Sequence, residues 1–456
     1  LSLVGSEMCI RDRNTPLKRP ELLAPAGSLD RMQAAYDYGA DAVYAGLPRY
    51  SLRARNNGFS RLDRLKAGIE RAHQQNKKFY VAVNVLPHNS KLSTFLEDMQ
   101  QVIQMQPDAF IMADPGLIMQ VRKNWPQMPI HLSVQANTTN YWGVQFWQEI
   151  GIRRIILSRE LSLKEIAEIR NKCPDMELEV FVHGALCIAY SGRCLLSGYF
   201  NHRDPNQGTC TNACRWNYTI KKTVPTDTGD IEATYPNRRP PQADSPYLLE
   251  EKNRPGSELP IMEDEHGTYI MNSKDLRAVE YIEKLIDIGV DSLKIEGRTK
   301  SIYYVARATQ VYRRAIEDAL LHKPFDSRLL SDLEHLANRG YTSGFLDRHP
   351  IQDYQNYLSG HSVAHRSLYV GQILDINAEG WARVDVKNKF SVGDTVEILS
   401  PKGNELRVIE EIRYRGEAID SAPGNGIEVL IPHMQGKEKG FIIRILQEKA
   451  KAEIRA

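Results

Sequence analysis

Short apolar runs alternate with longer amphipathic stretches over residues 21–321. This alternation predicts β-strand–helix units built on a parallel sheet. Helical spacing of apolar positions is clearest at 62–73, 92–105 and 276–288, and a further helix is predicted over 303–321. Ser162 and Glu165 have the spacing of a helix capping box. The runs predicted as strands are 22–24, 42–45, 79–85, 109–113, 130–134, 154–157, 178–182 and 292–295.

The number of these units favours a closed barrel over an open sheet. Eight strand–helix units within residues 21–321 fit the (β/α)8, or TIM-like, barrel architecture. In such barrels the functional groups lie at the carboxyl ends of the strands. We therefore expect a polar rim there, and its candidate members are Asn84, Gln135, Asn137, Arg159, Glu160, His183, Glu296 and Arg298.

The remaining segments depart from the barrel pattern. Residues 222–260 are rich in Pro, Asp, Asn and Gly and show no periodicity, which predicts an irregular surface excursion. After a connector over 341–366, alternating strands with Gly turns predict a small all-β barrel over 367–448, followed by a tail, 449–456. Residues 1–13 resemble a translated adaptor sequence, and we exclude them from the barrel domain, 14–340.

Four of the six cysteines are concentrated in an insertion, 185–218, that follows the seventh predicted strand. Because the insertion grows from a strand's carboxyl end, its cysteines are expected over the barrel mouth. Their spacing lacks the paired knuckles of a zinc ribbon. Irregular spacing on polar loops favours an iron–sulfur cluster, with zinc and ordinary thiols as open alternatives. The four residues are Cys187, Cys194, Cys210 and Cys214, whereas Cys173 is expected to be a packed thiol.

The composition is that of an ordinary globular protein. The 456 residues carry a net charge of +2, so charge alone favours no particular partner. The sequence has no run of eighteen apolar residues and no apolar signal-peptide core at its start. We therefore expect a cytoplasmic protein without a membrane span. In that reducing compartment, clustered cysteines bind metal or do redox chemistry more often than they form disulfides.

Each candidate catalytic residue also has a structural interpretation. Lys294 and Glu296 alternate with apolar neighbours and are expected to point into the barrel, where a buried ion pair is the alternative. His183 follows the seventh strand, as a base or as a hydrogen-bonded structural residue. The charged rim residues suit the binding of a carboxylate or phosphate, or simply the closing of salt bridges.

A basic loop after the second strand is a candidate contact for single-stranded RNA. Arg49, Arg53 and Arg55 lie near Tyr50, a combination in which phosphates pair with arginines and bases stack on the ring. A solvated surface loop is the alternative. The sequence contains no Walker loop, no G-x-S-x-G elbow and no H-E-x-x-H motif.

Long segments of the chain are similar to a known family. The segment EVFVHGALCIAYSGRCLLSGY resembles the signature of the collagenase-like peptidase family of unknown catalytic type. The tRNA-hydroxylating members of that family are closely similar over ELLAPAGSLDRMQAAYDYGADAVYAG, RYSLRARNN, LSVQANTTN, ILSRELSL, DPNQGTCTNACRW, EDEHGTYIMNSKDL and SLKIEGRTKS. The likeness runs from Glu21 to the C-terminal domain.

The resemblance implies prephenate-dependent, oxygen-independent hydroxylation of carbon 5 of the wobble uridine, position 34 of tRNA. It also implies a 4Fe–4S cluster on Cys187, Cys194, Cys210 and Cys214. Catalysis is then expected from His183, Glu160, Lys294 and Glu296. Binding of prephenate and of the tRNA anticodon arm is expected from Arg49, Arg53, Arg55, Asn84, Gln135, Asn137, Arg159 and Arg298. The alternatives are a peptidase or other hydrolase, as the family name suggests, and a non-catalytic RNA-binding or scaffold protein with a structural cluster.

Overall fold

The computed structural model describes the barrel, most of the cysteine-rich insertion and the C-terminal domain. The described residues are 17–52, 58–187, 189–197, 202–215, 223–225, 231–233, 247–250, 258–264, 267–269, 273–347 and 367–446. The adaptor-like stretch 1–13, Arg53 and Arg55, and most of the excursion 222–260 lie outside them. Much of the connector and the tail lies outside them too.

Eight parallel strands close into the predicted barrel. In chain order the first strands are β1 Glu21–Pro25, β2 Ala42–Gly46, β3 Lys78–Val83, β4 Ala109–Met112, β5 Ile130–Leu132, β6 Arg154–Ile156 and β7 Glu177–Ala185. Six strands that are not among the eight barrel strands follow in the chain: β8 Thr223–Pro225, β9 Ile231–Ala233, β10 Tyr247–Glu250, β11 Glu258–Asp264, β12 Gly267–Tyr269 and β13 Asp275–Arg277. The barrel closes at β14, Ser292–Ile295, which pairs in parallel with both β1 and β7. The (β/α)8 prediction is confirmed, strand by strand.

Helices follow the barrel strands as the amphipathic stretches predicted. They are α1 Leu29–Asp37, α2 Leu62–Gln74, α3 Phe95–Ile103, α4 Pro115–Asn124, α5 Tyr141–Glu149, α6 Leu163–Lys172, α7 Ile282–Ile288, α8 Ile302–Leu320 and α9 Arg328–Glu334. The capping box at the start of α6 is confirmed, since Ser162 and Glu165 exchange both hydrogen bonds. Apolar side chains from the strands and helices join in one buried cluster.

The predicted helix over 276–288 is wrong in its first half. Leu276 lies in β13, which pairs antiparallel with the end of β7. The side chain of Asp275 is almost fully buried and forms an ion pair with Arg339. These long-range contacts override the local helical period, so the helix α7 begins only at Ile282. The predicted connector 341–366 likewise opens with a short strand paired to β13, namely β15, Tyr341–Thr342.

The C-terminal domain is antiparallel and all-β, as predicted. Its strands are β16 Ser367–Ile376, β17 Ala382–Val386, β18 Phe390–Ser391, β19 Thr395–Leu399, β20 Glu405–Val408, β21 Arg413–Tyr414, β22 Glu417–Ala418, β23 Ser421–Ala422, β24 Glu428–Ile431 and β25 Phe441–Ile445. The domain packs on the barrel helices α1 and α8. Arg307 of α8 is fully buried and donates to both carboxylate oxygens of Glu397. The Tyr38 hydroxyl donates to the carbonyl of Leu399 at 2.9 Å.

Among the described residues, the helices are too short or too polar to cross a membrane.

Candidate active site: a cysteine-lined cavity at the barrel mouth

A cavity of about 160 Å³ opens at the carboxyl ends of the barrel strands. Its floor is formed by inward-facing strand residues and its roof by the cysteine segment, which we define as the described residues between Cys187 and Cys214. The strand side chains that line it are Tyr44, Ala82, Ile111, Ile156, Phe181 and Lys294, joined from the strand ends and the rim by Asn84, Gln135, Arg159, Glu296 and Arg298. The cavity therefore lies at the carboxyl ends of the strands, where the sequence predicted the polar rim.

The cysteine segment contacts the loops around the barrel mouth at three points. The side-chain amide of Asn137 donates to the carbonyl of Ser191. The backbone N–H of Leu86 donates to the carbonyl of Asn206 at 3.2 Å. Gly208 has a positive φ, and a Cβ there would lie 2.8 Å from the backbone oxygen of Ser51. The segment is thus hydrogen-bonded to the loops after β3 and β5 and packs closely on the loop after β2, with its thiols above the cavity.

All four thiols of the segment line the cavity, whereas Cys173 is buried at the end of α6. The backbone N–H of Asn212 donates to the sulfur of Cys210 at 3.4 Å, a bond that stabilises a metal-bound thiolate. Within the described residues, no three His, Cys, Asp or Glu side chains converge on a point where one metal ion would sit. A zinc ion needs such convergence, because each sulfur must lie about 2.3 Å from it.

An iron–sulfur cluster makes a different geometric demand. In a four-iron cluster each thiolate binds a different iron, so the four sulfurs surround the cluster rather than meet at one point. Four thiols that line one cavity, with a backbone N–H donating to one sulfur, match the number and type of ligands that such a cluster takes.

Cations on the cavity floor lie against aromatic rings. The Nζ of Lys294 is 4.5 Å from the ring centroid of Tyr44 and 5.4 Å from that of Phe181. The guanidinium of Arg159 is 4.2 Å from the Phe181 centroid, and its Nη1 donates to the Ala185 carbonyl at 2.7 Å. The Nε of Arg159 is buried without a hydrogen-bond partner among the described residues. A guanidinium held in this way is suited to an anionic ligand.

Glu296 is the carboxylate of the cavity floor. The Tyr44 hydroxyl donates to its Oε2 at 2.8 Å. Burial raises the pKa of Tyr44 well above its ordinary value, and the negative charge of Glu296 adds to that rise. The tyrosine therefore stays protonated and orients the carboxylate. A Cβ on Gly184 would lie 2.5 Å from the Glu296 carbonyl, so this position requires glycine.

Lys294 also ends a chain of buried ion pairs through the barrel. Its Nζ donates to Glu179 at 2.7 Å, and Glu179 accepts a second bond from Arg154 at 3.3 Å. Arg154 continues to Glu21 at 2.6 Å. Burial lowers the pKa of Lys294, while the charge of Glu179 opposes that effect. The ion pair foreseen as an alternative for Lys294 is therefore present, and the same lysine lines the cavity.

The structure places His183, predicted to be catalytic, away from the cavity. The pairing of β7 with β14 shifts register next to His183, and the imidazole packs between the rings of Tyr304, Tyr312 and Tyr341 at centroid distances of 5.4–5.7 Å. It is 1% exposed and does not line the cavity. Burial lowers its pKa to about 3, so it remains neutral and serves as a packed structural residue.

The other sequence candidates divide between the cavity and its surroundings. Asn84 lines the cavity and accepts from the Leu52 backbone N–H at 3.3 Å. Glu160, predicted to be catalytic, accepts from the Ser158 hydroxyl outside the lining. Asn137 supports the cysteine segment rather than the cavity wall. Arg49 forms an exposed ion pair with Asp98 at 3.3 Å, away from the cavity.

Sequence reasoning missed several cavity residues. Tyr44 and Phe181 were read as buried strand residues, yet their rings form the walls on which the cations lie. The alternation of charged and apolar positions in β7 could have singled out Glu179 as inward-facing. Tyr190, Asn206 and Asn212 lie on the irregular cysteine segment, where no periodicity indicates direction.

Comparisons with known proteins cover nearly the whole chain. Residues 27–356 match "Peptidase family U32" and residues 365–444 match "Peptidase family U32 C-terminal domain". The chain is 56% identical over 436 residues to "tRNA hydroxylation protein P" of Escherichia coli, covering 93% of this chain and 96% of the relative. The protein of the same name from Haemophilus influenzae is 56% identical over 426 residues, covering 90% and 92%. A "Collagenase" of Porphyromonas gingivalis is 28% identical over 430 residues, covering 90% and 94%.

Proposed function

The chain belongs to peptidase family U32, and from that premise we propose that it hydroxylates carbon 5 of the wobble uridine, position 34, of tRNA. The reaction uses prephenate as co-substrate and an iron–sulfur cluster, and it does not use molecular oxygen. The relatives named for tRNA hydroxylation support the reaction class. The observation that carries the proposal is a single cavity lined by four thiols, three cations and one carboxylate.

The residues that would hold the cluster are Cys187, Cys194, Cys210 and Cys214. When bound, a 4Fe–4S cluster supplies one-electron chemistry that protein side chains cannot provide. The need for such a group follows from the reaction, because converting the C–H bond of carbon 5 to C–OH is a two-electron oxidation that protein side chains alone do not carry out. The role of the chain is to position the substrates and to exclude water from the cavity.

Prephenate carries one carboxylate on its ring and a second on its pyruvyl side chain, and the cavity offers matching groups. Arg159 and Arg298 are suited to one carboxylate each, since guanidinium groups bind carboxylates through paired hydrogen bonds. The rings of Tyr44 and Phe181 present apolar faces to the carbon skeleton between them. Lys294 adds a third positive charge that is already balanced by Glu179.

Glu296 is the side chain assigned to the proton of carbon 5. The two-electron oxidation of that C–H bond releases a proton, and Glu296, the carboxylate found on the cavity floor among the described residues, is the side chain positioned to accept it. The Tyr44 hydroxyl orients this carboxylate by donating to its Oε2. Because the Tyr44 hydroxyl is neutral, it orients the carboxylate without neutralising its negative charge.

The size of the cavity limits how RNA enters. A volume of about 160 Å³ holds small groups but not a folded RNA arm. The wobble uridine therefore leaves the anticodon stack and inserts its base, as in other enzymes that modify bases. The remainder of the anticodon arm stays outside, against the cysteine segment and the loops around it.

Hydrolysis of peptides is the competing function, favoured by the family's printed description and by the relative called a collagenase. Most cysteine and serine peptidases place a histidine beside the nucleophile as its base. None of the described cavity-lining residues is a histidine, and both His183 and His131 are buried away from the thiols. The geometry therefore favours hydroxylation over hydrolysis.

A complementation experiment tests the proposal. A bacterial strain that lacks its own tRNA uridine hydroxylation genes receives this gene, either intact or with Cys194→Ser. Mass spectrometry of tRNA nucleosides is expected to show 5-hydroxyuridine with the intact gene and little with the variant. A Cys173→Ser variant is the matched control, because that thiol is buried outside the cavity. Full modification with Cys194→Ser would refute a catalytic cluster.

A further inference from the structure

The cysteine segment presents an aromatic ring and a positive charge to solvent at the cavity mouth. Tyr190 lines the cavity and is nonetheless 49% exposed. Arg193, three residues later, is exposed. Buried aromatic rings are ordinary in folded proteins, but a half-exposed ring at the entrance of a cavity is available to a ligand.

The backbone that carries these side chains is rigidly placed. The N–H of Arg193 donates to the carbonyl of Tyr190 at 3.1 Å, which closes a tight turn. Asn137, in the left-handed conformation with a φ of 51°, holds the carbonyl of Ser191. Gly192 has a φ of 74°, and a Cβ there would lie 2.6 Å from the carbonyl of Gln135. The turn is therefore fixed to the β5–α5 loop while its side chains project outward.

Charge on the segment is unbalanced. Between Cys187 and Cys214 the sequence contains Arg193 and Arg203 but a single acid, Asp204. The Asp204 carboxylate already accepts from the backbone N–H of Asn206 at 2.8 Å. In the described part of the chain, Arg193 has no acidic partner, unlike surface arginines such as Arg314, which pairs with Asp326 at 2.6 Å.

We propose that Tyr190 and Arg193 form an RNA-contacting surface on the cysteine segment, at the entrance of the cavity. A nucleobase adjacent to the inserted uridine stacks on the Tyr190 ring, and Arg193 binds a neighbouring phosphate. This inference rests on the proposed function and specifies where the anticodon loop contacts the protein. A preplaced ring is an effective stacking surface, since little conformational entropy is lost when the base binds.

The cysteine segment then both carries the thiols and binds the RNA. The segment connects Tyr190 and Arg193 directly to Cys187 and Cys194 in sequence. Binding of the loop would therefore position the target uridine relative to the thiols without any movement of a separate domain. This arrangement differs from the basic loop at 49–55, where Arg49 is already paired with Asp98.

Binding of a labelled anticodon-arm hairpin to the full-length protein tests the inference. Tyr190→Ala is expected to weaken binding about 5- to 100-fold, and Tyr190→Phe to preserve it, because stacking needs the ring but not the hydroxyl. Arg193→Gln is expected to weaken binding and to lower the slope of log Kd against log salt by about one, as loss of one phosphate contact does. Arg193→Lys should retain most of that slope.

Matched controls separate this surface from general effects. Phe325→Ala removes a ring that is 42% exposed beyond the end of α8, and Arg71→Ala removes an exposed arginine near the end of α2, both at the opposite end of the barrel. Both controls are expected to bind the hairpin like the parent protein. Iron content is measured on every variant, so that loss of binding with unchanged iron reports on the RNA contact rather than on cluster loss.

The outcomes distinguish this inference from the proposed function. Parent-like binding and hydroxylation by Tyr190→Ala and Arg193→Gln would overturn the RNA-contacting surface and leave the hydroxylase intact. Loss of hairpin binding in these variants, with no hydroxylation by the parent protein, would support the surface and refute the hydroxylase. A parent protein that binds a collagen-derived peptide through Tyr190 and fails to bind the hairpin would overturn the inference in favour of a peptide ligand.

Discussion

The buried ion pair between Glu179 and Lys294 yields a prediction whose size follows from the structure. Glu179 is fully buried and accepts from Lys294 at 2.7 Å and from Arg154 at 3.3 Å. Glu179→Gln keeps the shape of the side chain but leaves two buried cations with one fewer anion. Breaking such a pair from one side costs about 3–5 kcal/mol of unfolding free energy.

The opposite variant is expected to cost less. Lys294→Met leaves Glu179 still bonded to Arg154, so the carboxylate keeps a compensating charge. Glu179→Gln should therefore lower the free energy of unfolding more than Lys294→Met does. In the double variant the two losses should not add, with a coupling of about 1–3 kcal/mol, as for residues in direct contact.

Urea denaturation followed by tryptophan fluorescence measures these differences, because Trp125 and Trp147 pack against the barrel core. The control is the exposed pair Lys66–Glu70, separated by 3.8 Å on α2, whose neutralisation should change stability by less than about 0.5 kcal/mol. Additive losses within about 0.5 kcal/mol would refute direct coupling. A larger loss of unfolding free energy for Lys294→Met than for Glu179→Gln would refute the argument that Arg154 still compensates the charge of Glu179.

Three further predictions concern pH, the cavity and the domain contact. Burial lowers the pKa of His183 to about 3, so its contribution to stability is lost as pH falls from about 6.5 toward 3, and His183→Gln should flatten the decline of Tm in that window. An unchanged profile would contradict this. Gly46→Ala would place a Cβ against the Ser51 hydroxyl and 2.6 Å from Nη1 of Arg298, and displacement of that guanidinium should raise KM for prephenate about tenfold with kcat little changed. Gly143→Ala, where the nearest atom to the added Cβ lies at 3.4 Å, should change neither constant. Burial alone would raise the pKa of Glu397, but contacts with His335 and Arg307 lower it to about 2. The contact between the domains should therefore weaken as pH falls from about 4.5 toward 2. In calorimetry at neutral pH, Glu397→Gln should let the C-terminal domain unfold at a lower temperature than in the parent protein. A single transition at the parent temperature would argue against that role.

The barrel could be predicted because its strands are buried on both faces. In β3, for example, every residue after Lys78 is apolar or aromatic and buried, and the strand is followed by the helical period of α3, so strand and helix assignments reinforce one another. The location of the cysteines could also be predicted, because an insertion that begins at a strand's carboxyl end must start at the barrel mouth.

Side-chain direction was harder to infer from sequence. The register shift beside His183 turns its imidazole away from the cavity, and nothing in the local sequence indicates such a shift. Residue 276 fits a helical period but pairs with β7 because of contacts far along the chain. The partners of Lys294 in the buried chain, Glu179 and Arg154, come from two other strands. They could be identified only once the order and register of the barrel strands were known.

The most direct test of the central claim is an anaerobic reaction of the purified protein with unmodified tRNA and prephenate, followed by mass spectrometry of the nucleosides. The prediction is 5-hydroxyuridine at position 34, formed under argon, only when prephenate is present and only by protein that retains iron and sulfide. Product that forms equally well without prephenate, or only when oxygen is admitted, would contradict the proposed reaction. Absence of product from iron-replete protein supplied with both substrates would contradict it as well.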